Sequence, residues 1–274
     1  MSERKGTTRI ADTFARLRAA GKKAFIPYVM AGDPDLGTTG ERILLLERCG
    51  ADIIELGVPF SDPLADGPTI QAAAERALTA GVTLQKVISF TREMRRQTQV
   101  PLVFMTYYNL IFKYGEERFV RDAAEAGVDG VIIPDLPPDE AGNLLRLAGR
   151  PGQKEKKGRK GRLLDTIFLI APTSTEERIR TVAAACSGFV YYVSMTGITG
   201  ARLTIDKALQ DHLSLIRRAT DKPVAVGFGV AKAEDARAVG SFADGVIVGS
   251  ALVRKFHEEP ADAERFIKEL REAI

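Results

Sequence analysis

The stretch Gly50-Ala51-Asp52-Ile53-Ile54 leads into a predicted buried strand, and the chain repeats this pattern twice. The near-repeats are Gly127-Val128-Asp129-Gly130-Val131 and Phe242-Ala243-Asp244-Gly245-Val246. In each stretch an aspartate stands just before a short apolar run, which is typical of a chain entering a buried strand. The recurrence indicates that one strand-and-helix unit is used several times.

Apolar runs of strand length alternate with segments of helical periodicity from end to end. The eight predicted strands are Ala24–Met30, Ala51–Val58, Leu102–Thr106, Gly130–Ile133, Thr166–Ala171, Phe189–Ser194, Val224–Gly227 and Gly245–Val248. Eight such units without an interior linker predict one α/β domain over residues 1–274, folded as a closed (β/α)8 TIM barrel. A doubly wound open sheet is the alternative.

Further helices are expected outside the eight units. We predict one over Ala11–Ala20 that covers the bottom of the barrel, and a short one over Thr69–Thr79 after the second strand. Ala261–Ile274 has the apolar spacing of a terminal amphipathic helix. Residues 1–7 are predicted to be flexible.

The composition is that of an ordinary globular protein, with 45% hydrophobic and 27% charged residues. No apolar run approaches the ~20 residues that a membrane span needs. The first eight residues lack the hydrophobic core of a signal peptide, so we expect a cytoplasmic protein. Cys49 and Cys186 are too few for a disulfide scaffold, and we expect both to be reduced and structural.

One segment, Arg150–Arg162, accounts for the net positive charge of the chain. It holds seven basic residues and one acidic residue, whereas the whole chain is only +3. The segment also contains glycines and no aromatic residue, which is typical of a solvated insertion. We predict a basic surface insertion over residues 150–163; non-specific contact with an acidic partner or with nucleic acid is the alternative.

Two carboxylates stand close together in the run Glu55-Leu-Gly-Val-Pro-Phe-Ser-Asp-Pro-Leu-Ala-Asp-Gly-Pro-Thr-Ile-Gln71. Glu55 lies inside an apolar strand, and the following Pro- and Gly-rich turn could bring Asp66 back over the end of that strand. Carboxylates in different environments can divide acid and base duties. The alternative is that Glu55 only pairs with a buried arginine or with backbone amides.

Glycine-containing segments follow the sixth, seventh and eighth predicted strands: Thr196–Gly200, Gly227–Gly229 and Gly249–Ala251. In a TIM barrel the loops after the last two strands often bind phosphate, helped by the free N–H groups of a helix start. We therefore expect a phosphorylated substrate. Thr196–Gly200 is also long and polar enough to serve as a lid that excludes water.

The residue types missing from the predicted strand ends restrict the possible reaction mechanisms. Both histidines, His212 and His257, fall in helical segments, and no metal-ligand spacing, Schiff-base lysine or dinucleotide fingerprint stands at a strand end. This leaves proton transfer by carboxylates or tyrosine, without metal or cofactor. Tyr191 and Tyr192 are adjacent in a strand, so only one ring can face the barrel interior.

The motifs resemble the tryptophan synthase alpha chain family from about residue 10 to the C-terminus. The matching runs are Phe25–Pro34, Glu55–Gln71, Tyr107–Leu110, Pro134–Pro137, Ser194–Gly200 and Gly227–Gly229. The resemblance implies cleavage of indole-3-glycerol phosphate to indole and glyceraldehyde 3-phosphate. It also implies a PLP-dependent beta chain, joined in an αββα assembly, that receives indole through a tunnel. The basic insertion has no counterpart in most members of the family.

The resemblance also implies a role for particular residues. Glu55 would protonate indole C3 and take a proton from the glycerol hydroxyl, and Asp66 would bind the indole N–H and stabilise the cation. Thr199 would orient Asp66, and Tyr191 would contact Glu55 or the substrate. The phosphate would be held by Gly200, Gly229, Gly249 and Ser250. The indole slot would be lined by Tyr28, Met105, Ile132 and Phe228.

Three other hypotheses remain open from the sequence. The chain could be a free-standing lyase that releases indole, or a binding or regulatory barrel without chemistry. It could also be a different phosphosugar isomerase or lyase, although such enzymes generally need His or Lys at strand ends.

Overall fold

The computed structural model describes residues 8–149, 164–193, 207–227 and 229–274. The predicted insertion, the predicted flexible N-terminus and the predicted lid therefore lie outside the described residues. Within the described ranges, each helix is too short or too polar to cross a bilayer.

The described strands form one parallel sheet. In chain order they are β1 (Ala24–Met30), β2 (Ile54–Gly57), β3 (Leu102–Met105), β4 (Gly130–Ile132), β5 (Asp165–Ile167), β6 (Leu169–Ile170), β7 (Val190–Val193), β8 (Val224–Gly227) and β9 (Gly245–Val248). The order across the sheet is β5-β4-β3-β2-β1-β9-β8-β7-β6. The first and last members are consecutive in the chain, so the sheet returns to itself as a barrel. The predicted TIM barrel is confirmed.

The run 165–170 closes the barrel in two pieces, which corrects the continuous fifth strand predicted over Thr166–Ala171. Its first half pairs with β4 through Ile167, and its second half pairs with β7 from Leu169 onward. Between them, the Phe168 N–H donates to Cys186 Sγ at 3.3 Å rather than to a strand. The second predicted strand was also too long, because regular pairing begins only at Ile54.

The helices surround this sheet. They are α1 (Arg9–Ala19), α2 (Leu36–Arg48), α3 (Pro68–Thr79), α4 (Leu84–Met94), α5 (Tyr108–Tyr114), α6 (Glu116–Ala126), α7 (Gly142–Ala148), α8 (Glu176–Ala185), α9 (Lys207–Ala219), α10 (Ala233–Gly240), α11 (Ser250–Glu258) and α12 (Ala263–Ala273). The three predicted extra helices correspond to α1, α3 and α12. The sequence analysis did not predict α5. The N–H of its first residue, Tyr108, donates to Asp135, which lies in the loop after β4.

Two hydrophobic clusters divide the core. One fills the barrel interior with alternate strand residues, and α1 closes its lower end with Ile10, Phe14 and Leu17. The other lies between the strands and the surrounding helices. Because side chains alternate along a strand, Tyr191 lies in the interior cluster and Tyr192 in the outer one. This agrees with the prediction that only one of the two rings faces the barrel interior.

The repeated aspartates build a common hydrogen-bonded clamp at the lower end of the barrel. Each aspartate donates its N–H to a carbonyl at the start of a neighbouring strand, and its carboxylate accepts the N–H of the same residue, at 2.8–3.1 Å. The pairs are Asp52 with Phe25, Asp129 with Leu102, and Asp244 with Val224. The sequence repeat thus fixes strand register and leaves the opposite end to loops.

Candidate active site

Glu55 lies in the barrel wall, on β2 between β1 and β3. Its register partners are Tyr28 and Val103, and only 1% of the residue is exposed. Among the described residues no arginine pairs with it, and its Oε1 has no hydrogen-bond partner. Burial raises the pKa of the Glu55 carboxyl to about 8. Glu55 is therefore protonated at neutral pH and poised to give up its proton.

Asp66 lies in the loop between β2 and α3, where it is only partly buried. The Tyr107 hydroxyl donates to Asp66 Oδ2 at 3.1 Å and accepts the N–H of Ala65 at 3.0 Å. The Gln71 side-chain amide donates to the backbone oxygen of Asp66 at 2.8 Å. Burial raises the Asp66 pKa to about 6, and the hydrogen bond from Tyr107 limits that rise. Asp66 is thus mostly ionised at neutral pH.

Tyr107 is the residue of this site to which the sequence reasoning gave no role. Its ring stacks on Phe60 with centroids 5.1 Å apart, and it follows β3, the strand next to the one that carries Glu55. The carboxyl ends of parallel strands meet at one edge of a barrel. The position of Tyr107 just after β3 therefore indicates that it lies at the same edge as the loop after β2. Thr199, the predicted partner of Asp66, lies outside the described residues.

Two buried phenols face this interior. Tyr191 lies 3% exposed in β7, and the charge of Glu55 adds to burial in raising the Tyr191 pKa far above its usual range. A Cβ at Gly227 would overlap the Tyr191 hydroxyl, and a Cβ at Gly57 would overlap the Tyr28 hydroxyl. Each ring therefore leans over a glycine of the next strand towards the barrel mouth.

The residues predicted for phosphate stand at neighbouring strand ends. Gly229 follows β8 with φ +82°, a backbone conformation that favours glycine. Gly249 follows β9 and precedes α11, and Ser250 is the first residue of that helix. The free N–H groups at this helix start can bind an anion. Gly200 lies outside the described residues.

The residues predicted for the indole slot share the same interior. Ile132 is fully buried in the interior cluster, and Met105 packs against it. Tyr28 is 5% exposed beside Glu55. Phe228 lies outside the described residues. The described part of the chain brings no group of three or more possible metal ligands together, and the segments with His212 and His257 are helices.

A TIM barrel with a protonated buried glutamate and a mostly ionised aspartate at its mouth fits the class of barrel enzymes, because two such groups can give and accept protons. Sequence comparison gives the family. The family model described as tryptophan synthase alpha chain matches residues 14–274. The chain belongs to the tryptophan synthase alpha chain family. It is a carbon–carbon lyase of tryptophan biosynthesis, and its step is the cleavage of indole-3-glycerol phosphate.

Curated relatives match nearly the whole chain. The tryptophan synthase alpha chain of Geotalea daltonii is 53% identical over 250 residues, covering 91% of this chain and 90% of that protein. That of Geobacter sulfurreducens is 50% identical over 272 residues, covering 97% and 99%. Membership of an alpha chain family implies a beta chain partner.

Solved structures share the fold closely. A structure of Mycobacterium tuberculosis tryptophan synthase aligns with a TM-score of 0.88 at 38% identity, covering 98% of this chain and 99% of that one. Tryptophan synthase subunit alpha from Legionella pneumophila aligns with a TM-score of 0.85 at 35% identity, with the same coverage.

Proposed function

We propose that Glu55 and Asp66 carry out the cleavage of indole-3-glycerol phosphate to indole and glyceraldehyde 3-phosphate. The observation that carries the proposal is the contrast between the two carboxyl groups. The pKa of Glu55 is raised to about 8 and that of Asp66 only to about 6. One group therefore holds a proton while the other holds a charge, which is the division that acid–base chemistry needs.

The proposed reaction begins with transfer of the Glu55 proton to indole C3. The ring nitrogen becomes part of a cationic indolenine, and the charge of Asp66 stabilises its N–H. Glu55, now a carboxylate, removes the proton of the hydroxyl on the carbon attached to the ring. The C–O double bond forms, the C–C bond breaks, and its electrons restore the neutral indole. Glu55 ends the cycle protonated.

Substrate binding is proposed to use the strand ends. Gly229, Gly249 and Ser250, together with Gly200, hold the phosphate through backbone N–H groups and a hydroxyl. Tyr28, Met105, Ile132 and Phe228 line the indole slot. Thr199 orients Asp66, and Tyr191 contacts Glu55 or the substrate. These roles rest on position in the barrel and on the family resemblance.

The reaction as proposed needs no cofactor on this chain, since protonated indole itself accepts the electrons of the broken bond. Pyridoxal phosphate chemistry is assigned to the beta chain, in an αββα assembly that passes indole through a tunnel. We also propose cytoplasmic residence, because Cys49 and Cys186 are both free thiols, as is usual in reducing compartments.

A docking surface for the beta chain is proposed at the barrel mouth. Two large hydrophobic residues stand out as exposed among the described residues: Leu64 at 95% and Phe112 at 69%. They follow β2 and β3 and so share the edge that carries Asp66 and Tyr107. Two large exposed apolar residues at one edge of the barrel favour a protein partner there.

The test is an indole-release assay on the complete chain, with and without a beta chain. Asp66→Asn and Glu55→Gln should each lower turnover by ~100-fold or more while the circular dichroism spectrum is unchanged. Unchanged turnover in either variant would defeat the carboxylate assignment. Full activity without the beta chain would favour a free-standing lyase, and substrate binding without turnover would favour a regulatory barrel.

The same groups predict the pH dependence of kcat/KM. Activity requires ionised Asp66 and protonated Glu55, so kcat/KM should rise with pH through about 6 and fall through about 8. A profile that keeps rising above pH 9 would contradict the acid role of Glu55.

A further inference from the structure

Tyr28 has a buried hydroxyl that lacks a good acceptor. The residue is 5% exposed, and the acceptor of its hydroxyl is Met30 Sδ at 3.9 Å. A thioether sulfur is a weak acceptor, so this contact satisfies the phenol poorly. Burying a polar group without a proper partner is unfavourable, and such groups commonly await a ligand or an ordered water.

The complementary group is the carboxyl of Glu55. Tyr28 and Glu55 are register partners on adjacent parallel strands. The Tyr28 hydroxyl reaches over Gly57, which lies two residues beyond Glu55 and therefore on the same face of β2. An underused donor and the unpartnered Oε1 of Glu55 thus belong to register partners on adjacent strands, with the Tyr28 hydroxyl over the face of β2 that carries Glu55.

We propose that the Tyr28 hydroxyl and Glu55 together bind one hydroxyl group of the substrate, the one on the carbon attached to the indole ring. Tyr28 donates a hydrogen bond to that oxygen, and the hydroxyl donates its own proton to Glu55. This inference rests on the proposed function of Glu55. It gives Tyr28 a polar role in recognising the glycerol side chain, beyond packing against the ring.

The arrangement supports the bond-breaking step. As Glu55 takes the proton, the O–H bond breaks and negative charge develops on the oxygen before the C–O double bond is complete. A hydrogen bond from Tyr28 stabilises that charge, and the C–C electrons then move to the protonated ring. Burial, with the charges of Asp66 and Glu55, raises the Tyr28 pKa well above its usual range, so the phenol keeps its proton and remains a donor.

The test compares Tyr28→Phe with the parent chain on two ligands. One is indole-3-glycerol phosphate, and the other is the analogue in which hydrogen replaces both glycerol hydroxyls. Tyr28→Phe should lower kcat/KM for the substrate by about tenfold or more, which is the effect of one hydrogen bond to a charged centre. Its Kd for the analogue should stay within about twofold of the parent value, because the ring remains in place.

The inference fails if Tyr28→Phe keeps kcat/KM within about twofold of the parent value. It also fails if the variant loses affinity for the analogue equally, which would mean that only packing was disturbed. If the hydroxyl acted on Glu55 directly, its removal would move the alkaline limb of the kcat/KM profile by more than about half a pH unit, which would also overturn it.

Two further variants separate this inference from the function it rests on. Tyr114→Phe is the matched control, because the Tyr114 hydroxyl bonds Asp122 outside the barrel at 2.8 Å. Its kcat/KM should match that of the parent chain. Full activity in Glu55→Gln would defeat the proposed function itself, whereas a normal Tyr28→Phe beside an inactive Glu55→Gln would defeat only the role of Tyr28.

Discussion

Glu55 and Asp66 differ because one lies in the barrel wall and the other in a loop. Glu55 receives no compensating hydrogen bond at Oε1 from the described residues, so burial alone sets its pKa to about 8. Asp66 receives the Tyr107 hydroxyl, which stabilises its charged form and holds its pKa near 6. Different solvation thus leaves one carboxyl group neutral and the other negatively charged at neutral pH.

An unpaired buried carboxyl should cost stability as it ionises. The pKa of Glu55 is raised from 4.5 to about 8, so the parent chain loses stability as pH rises through this window. We expect Glu55→Gln to match the parent below pH 4.5 and to exceed it increasingly towards pH 8, by on the order of 4 kcal/mol there. Urea denaturation at several pH values measures this; a constant difference across pH would contradict it. Exposed Glu258→Gln is the control.

Tyr107 should control the ionisation of Asp66. Tyr107→Phe removes the hydrogen bond that favours the carboxylate but keeps the stack on Phe60, so the Asp66 pKa should rise above about 6. The acid limb of the kcat/KM profile should move to higher pH, with lower activity at pH 7. Tyr108→Phe, which removes only a bond to Glu116, should leave the limb in place. An unmoved limb in Tyr107→Phe would mean that another group sets the Asp66 pKa.

The sequence predicted both carboxylates but not Tyr107. A carboxylate within an apolar run is anomalous by itself, so Glu55 could be identified locally. The place of Tyr107 just after β3 indicates the edge of the barrel that holds the site, but the contact with Asp66 forms only when the loop after β2 folds towards the end of β3.

The strand starts carry the clearest link between a sequence repeat and an element. Three aspartates clamp three neighbouring strands, and Ser187 makes a fourth clamp of the same form. Its N–H donates to Thr166 O at 2.7 Å, and its hydroxyl accepts the Thr166 N–H at 2.9 Å. A shorter polar side chain therefore replaces the aspartate where the barrel closes.

Loss of one clamp should destabilise the barrel without changing its chemistry. Asp129 accepts the Leu102 N–H and pairs with Arg9 at 2.8 Å and with the nearly buried Arg95. Asp129→Ala removes both ion pairs and the carboxylate that accepts the Leu102 N–H, which should cost about 3–5 kcal/mol of unfolding free energy. Chemical denaturation measures the loss, and kcat at 25 °C should stay near the parent value.

The control for this experiment is Asp139→Ala, which removes an exposed pair with Arg178 and should cost about 1 kcal/mol or less. Equal losses in the two variants would mean that the clamp adds nothing beyond an ordinary surface ion pair.

Elements defined by local patterning were predictable, and those defined by distant partners were not. The strands and the helices α1, α3 and α12 follow from periodicity and composition. The division of the run 165–170 depends on its pairing with strands on both sides, and α5 begins where Asp135 accepts the Tyr108 N–H at 2.9 Å. Neither partner is visible within the local window.

The clamps and the candidate catalytic residues occupy opposite ends of the barrel. The clamps and α1 lie at the lower end of the barrel, whereas Glu55, Asp66 and the strand-end glycines lie towards the upper end. The basic insertion, residues 150–163, is flanked by Gly149 and Leu164. These two residues border a cavity of about 260 Å³ together with Cys186 and Lys222. Thr166 and Ser187, which form the fourth clamp, border the same cavity.

Deleting Gly152–Arg162 should therefore leave turnover nearly unchanged. The segment joins α7 to the start of β5, and connections that enter a strand start lie opposite the catalytic face of a TIM barrel. Steady-state assays should give kcat and KM within about twofold of the parent values. A large loss of kcat would mean that the segment reaches the mouth.

Phe112 gives a test of the proposed assembly. Phe112→Ser should raise the Kd for a beta chain by about tenfold or more, since exposed aromatic anchors dominate interfaces. Gln97→Ser, at an exposed site just beyond α4, is the control. Calorimetric titration measures both; equal affinities would move the docking surface elsewhere.

The glycines beneath the two tyrosine rings set a limit on how this chamber can evolve. Each phenol occupies the volume that a methyl group at Gly57 or Gly227 would fill. A lineage that gained a side chain at one of these positions would have to shrink or tilt the facing ring in the same step. Substitutions at Gly57 and Tyr28 should therefore occur together among homologous chains, and so should substitutions at Gly227 and Tyr191.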